Sequence, residues 1–371
     1  MGGERLTIVI AGGGTGGHLF PAFAIADALK KLRPDTLIHF VGSRYGIEAR
    51  LFPGRTEPYT LLDIRGWSRG FSWSGVKRNL GFPLRFITAY IRSRRLLSHL
   101  KPDVVVGTGG YASGLPLLAA LHKGIPTAIQ EQNSYPGFTT RRLAKRARKL
   151  FVSYPDTSRY LKKKNARVMG NPVREDLMHP SRSKALKSLG FSRRVPVVSI
   201  IGGSQGSRTL NTVVRDALKD LFSALSVQVV WQTGSGAYGE LQSLRSRYPS
   251  LRIFPFIQDM GAVYAASDLV VSRAGALALA EITACGKPSI LVPFPGAAAD
   301  HQTTNARILQ KAGAAMLLPE KDLSPQVLVG LITQLLSNRD RLKKMGQASR
   351  SLSVPGASKR IAQEILSLAT S

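Results

Sequence analysis

The stretch Ile200-Ile201-Gly202-Gly203-Ser204-Gln205-Gly206-Ser207-Arg208 decides the reading of this chain. Before it, residues 195–201 form a short apolar run of the kind that makes a strand buried on both faces. After it, Leu210, Val213, Val214, Ala217, Leu218 and Leu221 recur at helical spacing. The glycines therefore stand where a strand turns into a helix. A helix start offers unpaired backbone N–H groups at the positive end of its dipole. Glycine lets the backbone approach a ligand, and Ser204 adds a hydroxyl donor. Together they predict a cradle for phosphate or diphosphate. A tight strand–helix turn without a ligand is the plain alternative.

A similar stretch lies near the N-terminus. Residues 7–11 read as a strand, Gly12-Gly13-Gly14-Thr15-Gly16-Gly17-His18 as the turn, and 19–32 as a helix with Pro21 in its first turn. Strands are further expected at 37–41, 59–63, 103–107, 127–130 and 150–152, with helices at 84–100, 115–122 and 139–148. A third glycine turn, Gly107 to Gly114, and the run Glu131-Gln132-Asn133 follow two of these strands. Gly170 and Pro172 mark the crossing into a second half. There strands are expected at 195–201, 227–232, 252–256, 269–272 and 289–292. Helices are expected at 209–221, 238–247, 277–284, 304–311, 325–336, 339–349 and 358–368. The alternation predicts an α/β protein of two doubly wound Rossmann-like domains with a cleft between them. Ligands of such domains sit at the carboxyl ends of the strands.

Composition narrows the function. The chain has 371 residues, 43% of them hydrophobic, which suits two folded domains. A single cysteine, Cys285, excludes an internal disulfide framework. The N-terminus lacks the basic and long apolar regions of a signal peptide, and no apolar run is long enough to span a bilayer. Lys and Arg number 52 against 22 Asp and Glu, a formal net charge of +30. Such a field favours phosphorylated substrates, anionic lipid or nucleic acid. Nucleic acid is set aside, because no RNP, KH or zinc pattern is present and the glycine turns would go unexplained. A nicotinamide enzyme is weakened too: the second strand ends Val41-Gly42-Ser43, without the acidic residue that holds a ribose.

Other residues carry candidate chemistry. His18 follows the first turn, at a strand end where an imidazole could serve as acid or base, although a lone histidine more often packs or caps. Ser272-Arg-Ala-Gly-Ala-Leu-Ala-Leu-Ala-Glu281 takes a strand into a helix, and Glu281 could accept bonds from two vicinal ribose hydroxyls; an ordinary helix-surface Glu is the alternative. Phe256-Ile257-Gln258 follows another strand and could clamp a base. Between Ile64 and Pro102 no acidic residue occurs. Arg65, Arg69, Lys77, Arg78, Arg85, Arg92, Arg94, Arg95 and Lys101 are interleaved with Trp67, Phe71, Trp73, Phe82, Phe86 and Tyr90. Aromatics among cations suit an anionic membrane surface. In the alternative, Leu84, Ile87 and Ile91 face the core and the arginines form a solvated face.

These runs, taken in order, resemble the MurG family. The resemblance rests on Gly13 to His18 with Phe20-Pro21, on Gly109-Gly-Tyr111 with Ser113-Gly114, and on Glu131-Gln-Asn133. It continues through Gly170-Asn-Pro-Val-Arg174, Gly202-Gly-Ser-Gln-Gly206, Ser272-Arg273 with Gly275-Ala-Leu277 and Glu281, and Gln302 with Asn305-Ala306. It implies a type B glycosyltransferase that moves N-acetylglucosamine from UDP-N-acetylglucosamine to the 4-hydroxyl of lipid I, with inversion, giving lipid II. A glycolipid synthase acting on diacylglycerol is the alternative on the same fold. The resemblance further implies an N-terminal domain of residues 1–170 plus 354–371, facing acceptor and membrane, and a nucleotide domain of residues 171–353. Thr15, Gly16, Gly17, Asn133, Arg174, Ser204, Ile257, Ala276, Leu277, Ala278, Leu279, Ala280, Glu281 and Gln302 would bind the sugar nucleotide. His18 and Asn133 would act in catalysis, His18 as the candidate base. No D-x-D pair follows a strand, so no metal or other cofactor is expected. The lipid-linked acceptor implies a peripheral position on the cytoplasmic face of the bacterial cell membrane. One departure is visible: the loop from Pro295 to His301 is rich in alanine where polar residues are often found, which puts a role for His301 in doubt.

Overall fold

Apolar runs of three to seven residues become two sheets in which every paired strand is parallel. The computed structural model describes residues 5–66, 82–161, 166–178 and 180–370. The chain divides into two compact units, one running to Pro172 and resuming at Gly356, the other Val173–Pro355.

The first unit holds β1 (Thr7–Ala11), β2 (Leu37–Ser43), β3 (Tyr59–Leu62), β4 (Val104–Gly107), β5 (Thr127–Glu131), β6 (Lys149–Val152) and β7 (Ala166–Val168). Their order is β3-β2-β1-β4-β5-β6-β7. The second holds β8 (Val197–Ile201), β9 (Gln228–Gln232), β10 (Leu251–Phe254), β11 (Leu269–Ser272), β12 (Ser289–Leu291) and β13 (Ala315–Leu317). Their order is β10-β9-β8-β11-β12-β13. Each sheet reverses direction between its first and fourth strands, β1/β4 and β8/β11. A doubly wound sheet opens a crevice at that point, and all the glycine turns lie there. The central strands are buried throughout, as in β4 and β8, which is why they read as continuous apolar runs.

The helix Ala357–Ala369 returns to the first unit. It lies against the helix Gly16–Leu32 and buries Ile361, Ile365 and Leu368. At its outer side Glu364 pairs with Lys149 at 2.6 Å and with Arg167.

Several local expectations are corrected. The first helix begins at Gly16, so Pro21 lies inside it and not in its first turn. The helix expected at 115 begins at Gly110, because Gly109 at φ +97° and Gly110 at +74° complete the turn at once. The helix expected over 139–148 is only Phe138–Leu143, and that over 238–247 is two pieces, Ser235–Leu241 and Leu244–Arg247. Helices Arg182–Leu189 and Met260–Ala266 and the edge strands β7 and β13 are additions. A three-residue strand is too short to show a period.

Candidate functional site

In the first unit the site residues stand on the ends of β1, β4 and β5. Gly13 and Gly14 have φ of +147° and +87°. The Thr15 carbonyl then accepts from His18 N at 3.2 Å and Leu19 N at 3.1 Å, which starts the helix. Thr15 and Gly17 are exposed, and Gly16 is buried. Behind the turn, the Thr108 hydroxyl donates to the His18 carbonyl at 2.8 Å. The inner side of the turn is filled by Glu48, which is fully buried. Its carboxylate accepts from Gly14 N at 3.0 and 2.8 Å and from Ser43 N at 2.8 Å. So the end of β2 does receive a carboxylate, from five residues further along, but on backbone amides.

The half-buried His18 is oriented by Gln132. Gln132 Nε2 donates to the Thr108 carbonyl at 2.7 Å, and Gln132 Oε1 lies 2.9 Å from His18 Nδ1. A carbonyl only accepts, so the amide orientation is fixed and its oxygen must accept from Nδ1–H. The neutral ring then carries its lone pair on Nε2, the form a general base needs. Asn133, next in the chain to Gln132, is half-buried; its backbone N and Nδ2 both donate to Glu131 Oε1 at 3.1 Å. Glu131 Oε2 accepts from Gly137 N at 3.0 Å and so closes the loop.

In the second unit the strand β8 feeds the decisive glycine turn. Gly203 and Gly206 have φ of +86° and +77°, and the space beside Gly203 is open. The helix starts at Arg208, with Ser207 as its cap: Ser207 Oγ accepts from Leu210 N at 3.3 Å. Ser204 lies half-buried in the turn. Under the turn is Arg273, which donates to Ser207 Oγ at 3.1 and 2.5 Å. It also donates to the Val292 and Pro293 carbonyls at 3.2 Å and pairs with Glu320. Gln232 links two further parts: its Nε2 donates to the Gly203 carbonyl at 2.8 Å and its Oε1 accepts from Ile257 N at 2.9 Å.

Glu281 stands in the helix Ala276–Ala284 with 8% exposure, not on its open surface. Tyr264 O–H donates to its Oε2 at 3.1 Å. Burial pushes its carboxyl up to about 7, against the lowering pull of the Arg174 guanidinium and of Tyr264. Arg174 itself lies 3.7 Å from Asp176. Of the other residues in 276–281, Leu279 is packed in the core with Tyr264 and Ile282; Leu277 is buried, and Ala278 and Ala280 are half-buried. Only backbone groups and the Glu281 carboxylate offer polar chemistry there. Gln302 Oε1 accepts from Phe294 N at 2.9 Å, which holds the loop after β12. His301 Nδ1 lies 2.8 Å from the Ala298 carbonyl, within its own loop. Sequence reasoning gave no role to Glu48, Gln232 or Arg273. The signal for Arg273 was its place directly after β11, at the reversal of the sheet.

The chain matches two protein-family models. Residues 8–152 match the glycosyltransferase family 28 N-terminal domain, and residues 197–361 match the glycosyltransferase family 28 C-terminal domain. A UDP-N-acetylglucosamine–N-acetylmuramyl-(pentapeptide) pyrophosphoryl-undecaprenol N-acetylglucosamine transferase of Salinibacter ruber is 41% identical, over 98% of this chain and 96% of its own. The enzyme of the same name from Syntrophotalea carbinolica is 42% identical, over 96% and 97%. Among solved structures, Acinetobacter baumannii MurG superposes with a TM-score of 0.71 at 30% identity, over 98% of this chain and all of that one. With identity of this order sustained along nearly its whole length, and the same fold, the chain belongs to the MurG family of glycosyltransferases.

Proposed function

We infer that this protein transfers N-acetylglucosamine from UDP-N-acetylglucosamine to the 4-hydroxyl of the N-acetylmuramyl unit of lipid I, giving lipid II for peptidoglycan. The observation that carries the donor assignment is the cluster in the second unit. An open glycine turn leads into a capped helix N-terminus, and a buried carboxylate stands on Tyr264 within the field of Arg174. The helix terminus and Arg174 would stabilise the leaving diphosphate. Glu281 would accept from the ribose hydroxyls, and Ile257 would meet the base through its backbone carbonyl, since its N–H is engaged by Gln232.

The acceptor side rests on the first unit. His18, with its proton fixed on Nδ1, would take the proton of the attacking hydroxyl at Nε2, and Asn133 would position that hydroxyl. In-line attack at the anomeric carbon, with UDP leaving from the opposite face, inverts the configuration. No described helix is long and apolar enough to cross a membrane. The helix Phe82–Leu100 supports peripheral attachment to an anionic membrane instead. Leu84, Ile87 and Ile91 are 69%, 54% and 42% exposed, and helical spacing sets Arg94 and Arg95 on the same face. The alternative that these three residues line the core is overturned: the helix buries Ala89, Ser93 and Leu97. Trp67, Arg69, Phe71, Trp73, Lys77 and Arg78 lie outside the described residues.

The test is incubation with labelled UDP-N-acetylglucosamine and a short-chain lipid I analogue, with diacylglycerol in parallel. A product one N-acetylhexosamine heavier than the lipid I analogue is expected. Transfer to diacylglycerol alone would favour the glycolipid synthase, and no transfer to either overturns the assignment.

A further inference from the structure

The first glycine turn has the form of a phosphate cradle, yet its Gly14 amide is already taken. Gly14 N and Ser43 N both point at the Glu48 carboxylate. A Cβ on Gly13, Gly42 or Gly46 would overlap the Glu48 side chain. Three glycines, one in the first turn, one in β2 and one in the loop after it, are thus required by close approach to one internal carboxylate. On the other side of the turn, a Cβ on Gly14 would stand 2.8 Å from Tyr111 Cε1. Glu48 is fully buried, and its carboxylate lies against the turn that opens the helix Gly16–Leu32. A ligand that used the Gly14 and Ser43 amides would have to displace this carboxylate.

We propose that Glu48 is a positioning residue of the transfer reaction: its carboxylate takes the place of a bound anion and fixes the backbone from Gly13 to His18, so that this turn holds the base and offers no phosphate site at the Gly14 amide. The two glycine turns then differ in kind. The turn at Gly203 is open for the donor diphosphate, and the turn at Gly14 is a pre-filled support. The backbone link from Glu48 to His18 is short. Gly14 leads through Thr15, whose carbonyl receives His18 N, and the ring is then set by Gln132. Displacing the turn therefore displaces His18 while leaving the second unit's nucleotide groups untouched.

This inference rests on the reaction assigned above, so the experiment reads both activity and structure. Glu48→Gln keeps the shape and one acceptor oxygen; Glu48→Ala opens a space that formate can enter. In both variants kcat should fall about tenfold or more, the scale of one lost hydrogen bond to a charged group. KM for UDP-N-acetylglucosamine should change less than kcat, because the diphosphate and ribose groups of the second unit are untouched. Formate should restore kcat in Glu48→Ala and leave the wild type unchanged. The ring signals of His18 in ¹⁵N NMR should move in both variants, and return with formate in Glu48→Ala. Inorganic phosphate should leave the Gly14 amide signal of the wild type unmoved. A wild type that transfers no sugar would sink the assigned reaction, while the NMR readings still judge Glu48. Unchanged kcat and unchanged His18 signals in Glu48→Gln would overturn the proposal. So would a Glu48→Ala protein that melts early and gains nothing from formate, which would make the residue purely architectural. Phosphate binding at the wild-type Gly14 amide would overturn it as well.

Discussion

His18 and Glu281 show how single side chains acquire their chemistry from neighbours. Because Gln132 fixes the proton on Nδ1, His18→Ala should lower turnover about 10²-fold or more, the scale of a lost general base. UDP affinity by calorimetry should hold nearly constant; equal losses in both would assign His18 to the donor. For Glu281 the expected signature is pH dependence. The carboxyl ordinarily titrates at 4.5, and burial lifts it to about 7 in the folded chain. Between those values the folded state holds the extra proton, so the residue's contribution to stability falls as pH rises through the window. By 1.36 kcal/mol per unit the loss is about 3 kcal/mol in order of magnitude. Urea midpoints of the wild type should therefore fall more steeply from pH 5 to 8 than those of Glu281→Gln. A ribose needs the ionised acceptor. Affinity for UDP-N-acetylglucosamine, whose diphosphate does not titrate near neutrality, should thus rise over the same window. In Glu281→Gln it should be flat and weaker by roughly 1.5–3 kcal/mol. A wild-type affinity independent of pH from 6 to 8 would refute the coupling.

At the scale of one element, the helix Phe82–Leu100 is amphipathic in an uncommon sense. One side, with Ala89, Ser93 and Leu97, packs inward. The opposite stripe of Leu84, Ile87 and Ile91 is open to solvent and runs on into Arg94 and Arg95. Exposed apolar groups in a row mark an interaction surface, and each basic group near anionic lipid is worth about 1 kcal/mol. Co-sedimentation with vesicles should require anionic lipid and weaken with salt. Replacing Leu84, Ile87 and Ile91 together by serine should reduce it severalfold, and Arg94 with Arg95 by glutamine likewise. Equal binding to neutral and anionic vesicles would contradict the electrostatic part.

At the scale of the whole molecule, the first unit is closed by the far end of the chain. Ile361, Ile365 and Leu368 are buried in it. At about 1.5–3 kcal/mol for each large apolar side chain, their loss approaches the whole stability of an ordinary domain. A chain ending at Pro355 should therefore lose the cooperative thermal transition of the first unit while the second still melts. A truncated protein with both transitions intact would show the helix to be dispensable. The donor chemistry also belongs to this scale. On the proposal that Arg174 and the helix terminus at Ser207 meet the diphosphate charge, activity should persist in excess chelator. Loss that magnesium or manganese restores would show a metal to be required.

The sequence alone determined the elements that depend on local pattern. Runs such as Val197–Ile201 state a buried parallel strand, and glycines at positive φ state a turn, because each signal lies within a few neighbouring residues. The repeat of strand, glycine turn and helix named both halves of the molecule, and the ordered motifs named the family. Edge strands of three residues escaped, having no room for a period. The contacts that give the site its chemistry were decided only by the tertiary structure. Glu48 meets Gly14 across 34 residues, Gln132 meets His18 across 114, Arg273 meets Ser207 across 66 and Gln232 meets Ile257 across 25. A polar residue of this kind carries no periodic mark in the chain. Its partner is set by which strand ends the sheet order brings together. That is why a glycine turn reads alike in both halves, and only the folded backbone distinguishes the open one from the filled one.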